Sequence, residues 1–177
     1  LMMDYLMWLM KVAVVLGIGC VMSKIIVNHF NQMVIRRSYN DALLKIQSSL
    51  NNPTNPESIR VVKRNVYSLL RLRHSLKSHS DSKLIQQYYE KAITKYGAKS
   101  FFEVCSISQE KPTNAVLALP GVHYEKRYLE DWNKQPHCHN PLTREPGSTD
   151  FVVDDVYNEL YRQYCAKIIL RTLCKGV

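Results

Sequence analysis

The spacing of apolar positions along the chain changes character three times, and each change marks a different kind of element. Residues 5–27 (YLMWLMKVAVVLGIGCVMSKIIV) form the most apolar stretch, interrupted by Lys11, Ser23 and Lys24. A helix needs about 20 apolar residues to cross a bilayer core, and the clean run from 12 to 22 supplies 11. The stretch therefore reads either as a buried core helix or as a membrane anchor. In the second case Lys11 and Lys24 reach toward headgroups while Tyr5 and Trp8 suit the interface. A cleaved signal, which would export the chain, is a third reading.

From 30 to 96 the period is helical. Ile35, Tyr39, Leu43, Ile46 and Leu50 recur every three or four residues and predict one apolar face, closed by Asn51-Asn52-Pro53. Asn55 then offers a cap oxygen, Pro56 fits the first helical position and Glu57 complements the dipole. Ile59, Val62, Val66, Leu69 and Leu76 make the next stripe. A third helix is expected from Ser80 or Asp81, turning Leu84, Tyr88, Ala92 and Ile93 inward and stopping at Gly97.

Beyond 101 the elements shorten. Residues 115–119 predict a strand and Pro120-Gly121 a turn, while 124–132 predicts a helix with Tyr124, Tyr128, Leu129 and Trp132 on one face. A loop through His139 and Pro146 leads to an extended Phe151-Val152-Val153, and a last helix starts at Asp154 or Asp155. That helix continues toward Gly176 with Leu160, Tyr161, Tyr164, Cys165, Ile168 and Ile169 on a broad apolar face, expected to pack on the N-terminal helices. The order predicts an α+β chain: a helical N-terminal region, a small domain of short hairpin, central helix and two crossing loops, and a C-terminal helix.

Composition excludes some classes. With 46% hydrophobic and 22% charged residues in 177, the chain can bury a core and is not a disordered tail. Five cysteines, Cys20, Cys105, Cys138, Cys165 and Cys174, form no Cys-x-x-Cys pair. That argues against a disulfide framework or zinc ribbon and for a reducing compartment. The net charge of +9 is unevenly placed. Residues 1–100 hold 15 Lys+Arg against 5 Asp+Glu, whereas 101–177 hold 9 against 10. The basic helix carries Arg60, Arg64, Arg71 and His74 near one face, with Lys63, Arg73 and Lys77 alongside. It reads as a solvated face or as attraction to anionic lipid. No aromatic-interleaved RNA-binding motif accompanies it, so nucleic acid is not the expected partner.

Three fragments in order carry a resemblance. Cys105-Ser106-Ile107-Ser108-Gln109-Glu110 is similar to a Cys-Pro-Ile-type loop with an acidic residue. Gly121-Val122-His123-Tyr124-Glu125-Lys126, followed by Leu129-Glu130-Asp131-Trp132, is similar to a Gly-x-x-Tyr-Glu-Arg signature opening a helix that ends in Trp. Pro141-Leu142-Thr143-Arg144-Glu145-Pro146 matches a Pro-x-Thr-Arg-x-Pro loop. Over residues 101–163, about a third of the chain, the sequence resembles the U-box domain of ubiquitin ligases, the zinc-free relative of the RING finger.

The resemblance implies a domain at 99–163, preceded by an apolar segment at 1–28 and a basic helical substrate or localisation region at 29–98, and followed by a helical extension at 164–177. It sets Cys105, Ser108, Pro120, Val122, Asn140 and Thr143 where a RING finger has zinc ligands, and Pro and Val cannot bind zinc. It therefore implies no cofactor, with Ser106, Ser108, Glu110, Asn140 and Thr143 tying the loops by hydrogen bonds and ion pairs. Convergence of Cys105, His123, His137, Cys138 and His139 on one zinc is the metal alternative.

The implied activity is that of a ubiquitin ligase without a covalent intermediate. A ubiquitin-charged conjugating enzyme would dock on Ile107, Gln109, Trp132, Pro141 and Pro146, and Arg144 would hold the thioester in its reactive pose. Taken alone, Ile107 and Trp132 also suit a core. Ser106 and Gln109 depart from the family's Pro or Gly and large apolar residue, which leaves an inactive interaction protein, such as a subunit of a membrane assembly, as the alternative. The implied partners are a charged conjugating enzyme, an unidentified protein substrate, an anionic membrane surface and a second copy of the chain. The implied location is a cytoplasmic face, or a host cell if the chain is a bacterial effector.

Overall fold

A computed structural model of the chain describes residues 2–15, 19–51, 56–76 and 81–175. The expectations for Cys20, Asn52, Pro53, Asn55, Pro56, Arg73, His74, Leu76, Lys77, Ser80 and Gly176 fall outside the described residues or side chains. The elements in order are α1 (Met2–Val15), α2 (Gly19–Asn51), α3 (Pro56–Leu76), α4 (Asp81–Tyr96), α5 (Ala98–Phe101), β1 (Ala115–Ala118), β2 (Val122–Glu125), α6 (Lys126–Asn133), β3 (Phe151–Val153) and α7 (Asp155–Lys175). The architecture is α+β, mostly helical, with one small antiparallel sheet. Two compact units divide it, residues 1–41 and 42–177.

In the first unit α1 exposes Tyr5, Met7 and Trp8, and the rings of Tyr5 and Trp8 stack 6.2 Å apart. At about 1.5 Å per residue, its 14 residues reach about 21 Å, short of the ~30 Å hydrocarbon core. Among the described residues no helix is long and apolar enough to cross a membrane.

The second unit begins within α2, where Ala42, Ile46 and Ser49 are buried. The end of that helix is finished from α4. Lys95 Nζ donates to the Leu50 carbonyl at 2.7 Å and the Tyr96 hydroxyl to that of Ser49 at 2.9 Å, satisfying acceptors a helix C-terminus leaves open. On α3, Ile59, Val62, Val66 and Leu69 are buried as their spacing predicts. On α4 the stripe centres on Ile85 and Tyr89, fully buried, with Tyr88 and Ala92 beside them. Gly97, at φ 86, closes α4 by donating to the Ile93 carbonyl at 2.9 Å.

The sheet has the order β2-β1-β3, with Leu117 opposite His123 on one side and Val152 on the other. Successive strand residues face opposite ways, so β1 serves two cores. Val116 and Ala118 join Cys105, Val122, Tyr124 and Leu129 in one cluster, against which Ile107 and Phe151 pack. On the other face lie His123 and an aromatic group from α4, α5 and α7. Tyr89 meets Phe101 edge-on at 5.0 Å, Phe102 meets Tyr157 at 5.3 Å, and His123 stacks on Tyr157 at 3.8 Å.

The second unit spans both sides of the boundary expected between 98 and 99, with α3 touching β1 and α4 touching α7. Two expectations change. Tyr124 belongs to β2 and not to the helix, which starts at Lys126, because pairing with Val116 aims its ring into the first cluster. On α7, Leu160 is buried and Tyr161 and Tyr164 cover Phe102, but Ile168, Ile169 and Leu170 are exposed.

Gly121 shows how tightly the hairpin seats. Its φ is 106, and a Cβ there would lie 2.5 Å from the Arg60 carbonyl oxygen and 2.8 Å from the Arg64 nitrogen. Only glycine lets the turn approach the α3 backbone so closely.

Candidate functional site

Two loops flank the hairpin and α6. In the first, Gln109 N donates to the Cys105 carbonyl and Cys105 N to that of Glu110, both at 2.8 Å. Gln109 takes φ 60 and its amide donates to the Ser106 carbonyl at 2.8 Å. Ser108 Oγ accepts from Glu110 N at 3.4 Å. Ile107 is half-buried against the cluster that contains Leu129, while Ser106, Gln109 and Glu110 are exposed.

Lys63 secures the segment entering this loop. Its ammonium is fully buried and donates to the Phe101 carbonyl at 2.9 Å and to Glu103 at 2.7 Å, 5.0 Å from the Phe101 ring. Burial lowers its pKa, and the Glu103 carboxylate opposes that shift. Lys63, expected beside the basic face, is thus a core residue. Two other basic side chains, Arg64 and Arg71, also turn to their own chain. Arg64 donates to the Pro120 carbonyl at 3.4 Å, and Arg71 lies 3.1 Å from the Tyr67 hydroxyl and 3.4 Å from Asp150.

The second loop is built on Asn140, which is buried. Its Oδ1 accepts from the Leu142 and Thr143 nitrogens at 2.9 Å each, and its Nδ2 donates to the Leu119 carbonyl at 3.2 Å in the hairpin turn. Asn140 N donates to the Glu145 carbonyl at 2.8 Å and Arg144 N to the Asn140 carbonyl at 3.0 Å. Thr143 Oγ1 donates to Glu145 Oε2 at 3.0 Å. Ser108 and Thr143, expected to tie one loop to the other, bond within their own turns, Glu110 takes part through its backbone, and Asn140 makes a tie of longer range, to the hairpin turn.

Arg144 sits at the tip of this loop, exposed, with φ 64. A side chain in that left-handed region is uncommon and costs of order 1 kcal/mol. Arg144 Nη1 lies 2.8 Å from His139 Nε2. His139 is held in turn: its carbonyl accepts from Trp132 Nε1 at 2.7 Å, its ring stands edge-on to the indole at 5.3 Å, and its backbone bridges to Pro146. His137, Cys138, His139, Arg144, Pro146 and Gly147 line an open depression. The structure thus brings Trp132, Arg144 and Pro146 to His139, while Asn140, the next residue, holds Thr143, with half-buried Pro141 beside it. Ile107, Ser108, Gln109 and Glu110 form a separate loop.

Behind both loops lies a buried polar knot that the sequence pattern did not show. Asp154 Oδ2 accepts from the Tyr89 hydroxyl at 2.6 Å and lies 2.9 Å from His123 Nε2, while Oδ1 caps α7 by accepting from Tyr157 N at 3.0 Å. His123 Nδ1 is buried with no partner. A proton there would be a buried donor without an acceptor, so the ring is neutral with its proton on Nε2, facing the carboxylate. Burial lowers the pKa of His123. That of Asp154 is also lowered, although burial opposes it, by the bonds from His123, Tyr89 and the Tyr157 nitrogen.

The expected zinc alternative has no counterpart in this arrangement. His123 is committed to Asp154 and Cys105 to the core, and among the described residues no three His, Cys, Asp or Glu side chains group as metal ligands. Cys105, Cys138, Cys165 and Cys174 are free thiols. Compared with protein-family models, curated proteins and solved structures, the chain matches none.

Proposed function

We propose that the chain is a U-box-type ubiquitin ligase that docks a ubiquitin-charged conjugating enzyme and promotes direct transfer to a substrate lysine. The observation that carries this reading is Arg144. It is presented at an exposed loop tip in a left-handed backbone and bonded to His139, on a loop anchored to the hairpin through Asn140. No packing need explains an arginine there. The resemblance assigns this residue the bridging of conjugating enzyme and ubiquitin. A guanidinium fixed beside a docking groove would accelerate aminolysis by restricting the thioester to its reactive pose, without a covalent step on the ligase. Ile107, Trp132, Pro141 and Pro146 would supply apolar contacts. Loops closed by backbone bonds and Asn140 give the scaffold without metal.

The test is autoubiquitination with a panel of conjugating enzymes, comparing wild type with Ile107→Ala, Arg144→Ala and Arg144→Gly. Chains that all three substitutions abolish are expected. Arg144→Gly is the sharpest variant, because glycine relaxes the left-handed backbone and should leave stability unchanged or raised by about 1 kcal/mol while activity is lost. Wild-type protein that builds no chains with any conjugating enzyme would favour the second reading, an interaction protein without ligase activity. Exposed, polar Ser106 and Gln109 on the first loop support that alternative.

Location belongs to the same proposal. Exposed Tyr5, Met7 and Trp8, with Lys11 and Lys24 also exposed, suit α1 to lie in the headgroup region of an anionic cytoplasmic membrane face.

A further inference from the structure

We infer that His139 is a positioning residue for Arg144, acting as the hydrogen-bond acceptor that aims the guanidinium toward the docked thioester; this rests on the ligase reading above. A guanidinium carries five N–H donors and no acceptor, and it stays protonated. At 2.8 Å from Arg144 Nη1, His139 Nε2 must therefore accept. The ring is then neutral, with its proton on Nδ1. A long side chain at a solvent-exposed loop tip ordinarily samples many rotamers, and fixing one of them at the moment of transfer lowers the rate. His139 removes part of that cost in advance. It can do so because it is itself immobilised from two sides, by Trp132 through its carbonyl and ring, and by the backbone bridge to Pro146. One Nη1–H is used in this bond, and the other donors remain for acceptors on the conjugating enzyme and ubiquitin.

The same geometry gives Trp132 an indirect role. Its indole N–H holds the His139 carbonyl from inside the domain, so it connects α6 to the arginine without leaving the site.

The experiment is single-turnover discharge of a ubiquitin-charged conjugating enzyme to free lysine, with the full chain titrated to saturation. His139→Phe keeps a ring against Trp132 and the backbone bonds but removes the acceptor; His139→Gln returns an acceptor oxygen. His139→Phe is expected to lower the maximal discharge rate roughly three- to tenfold. The half-saturating concentration and thermal midpoint should stay at wild-type values, and His139→Gln should recover most of the rate. Wild type that discharges while His139→Phe matches it overturns the inference alone. Wild type that discharges with no conjugating enzyme overturns the ligase reading and the inference with it. Nitrogen NMR of the imidazole gives an independent check: a proton on Nε2 rather than Nδ1 of His139 overturns the bond.

Discussion

Replacing Asp154 should damage this fold more than replacing any exposed residue of the candidate site. Asp154 is fully buried and serves three donors from three places: the Tyr89 hydroxyl of α4, His123 Nε2 of β2 and the Tyr157 nitrogen at the start of α7. Asp154→Ala removes a helix cap, at about 0.5–2 kcal/mol. It also strands two buried donors, each at about 1–3 kcal/mol. Relief of the burial of a carboxylate returns part of this. The net loss should be about 4 kcal/mol, a large fraction of the ~5–15 kcal/mol typical of a domain. Asp154→Asn keeps the capping oxygen and the shape, but sets an amide nitrogen against two donors. Tyr89 can rotate to accept, so the cost should fall to about 1–3 kcal/mol. Tyr89→Phe removes one donor of the knot, so the double variant Asp154→Ala/Tyr89→Phe should be less destabilised than the sum of its parts by about 1 kcal/mol or more. Urea unfolding followed by circular dichroism measures wild type and the four variants. A loss under about 1 kcal/mol for Asp154→Ala, or full additivity in the double variant, would refute the reasoning.

Three further outcomes test other parts of the structure. Burial holds the folded-state pKa of His123 below its usual 6.5, so as pH falls the unfolded chain takes up this proton first. The contribution is full above 6.5 and is lost as pH drops toward the depressed folded value, at up to about 1.4 kcal/mol per pH unit. His123→Gln should flatten the urea midpoint between pH 7.5 and 5, and an unchanged slope would count against a buried neutral ring. The lowered Asp154 carboxyl has the same sign, adding a further loss below about 3.8. Gly121→Ala combines a φ of 106 with a Cβ 2.5 Å from the Arg60 oxygen, and should cost more than about 2 kcal/mol by urea unfolding; a change under 0.5 kcal/mol, on the order of a surface substitution, would contradict that packing. Lys11 and Lys24 near a charged surface contribute about 1 kcal/mol each, so the full chain should float with anionic vesicles roughly 30-fold more readily than with neutral ones. Tyr5→Ser/Trp8→Ser should abolish the flotation, and its persistence would exclude α1 as the lipid contact.

How much of this was readable from the residues depended on range. The apolar stripe of α3 was legible because three- to four-residue spacing is a local property, and Ile59, Val62, Val66 and Leu69 are buried as that spacing requires; on α4 Tyr88 and Ala92 are buried, but Leu84 and Ile93 are half-buried while Ile85 and Tyr89 carry the core. So was the start of α7, where Asp154 caps the next turn. Tyr124 misled because Tyr-Glu-Lys-Arg-Tyr-Leu fits a helix by its own spacing, and only the partner strand at Val116 makes its first residues extended. Of the candidate site, the loop composition and Arg144 were visible. The acceptor on His139 and the tie from Asn140 to Leu119 were not, since both depend on how the loop closes.

The sequence by itself determined that the chain has a long helical N-terminal part and a short-element remainder, where its positive charge lies, and which loop carries an arginine with no packing need. Tertiary structure decided what the charges do. Lys63 reads locally as one more cation on a basic helix, yet its partners at Phe101 and Glu103 lie 38 and 40 residues away and make it a core residue. His123 reads as a metal candidate until Asp154, 31 residues on, is placed against it. A buried charge is stable only beside its counter-group. That pairing is a fact of distance in space, which residue order alone does not contain.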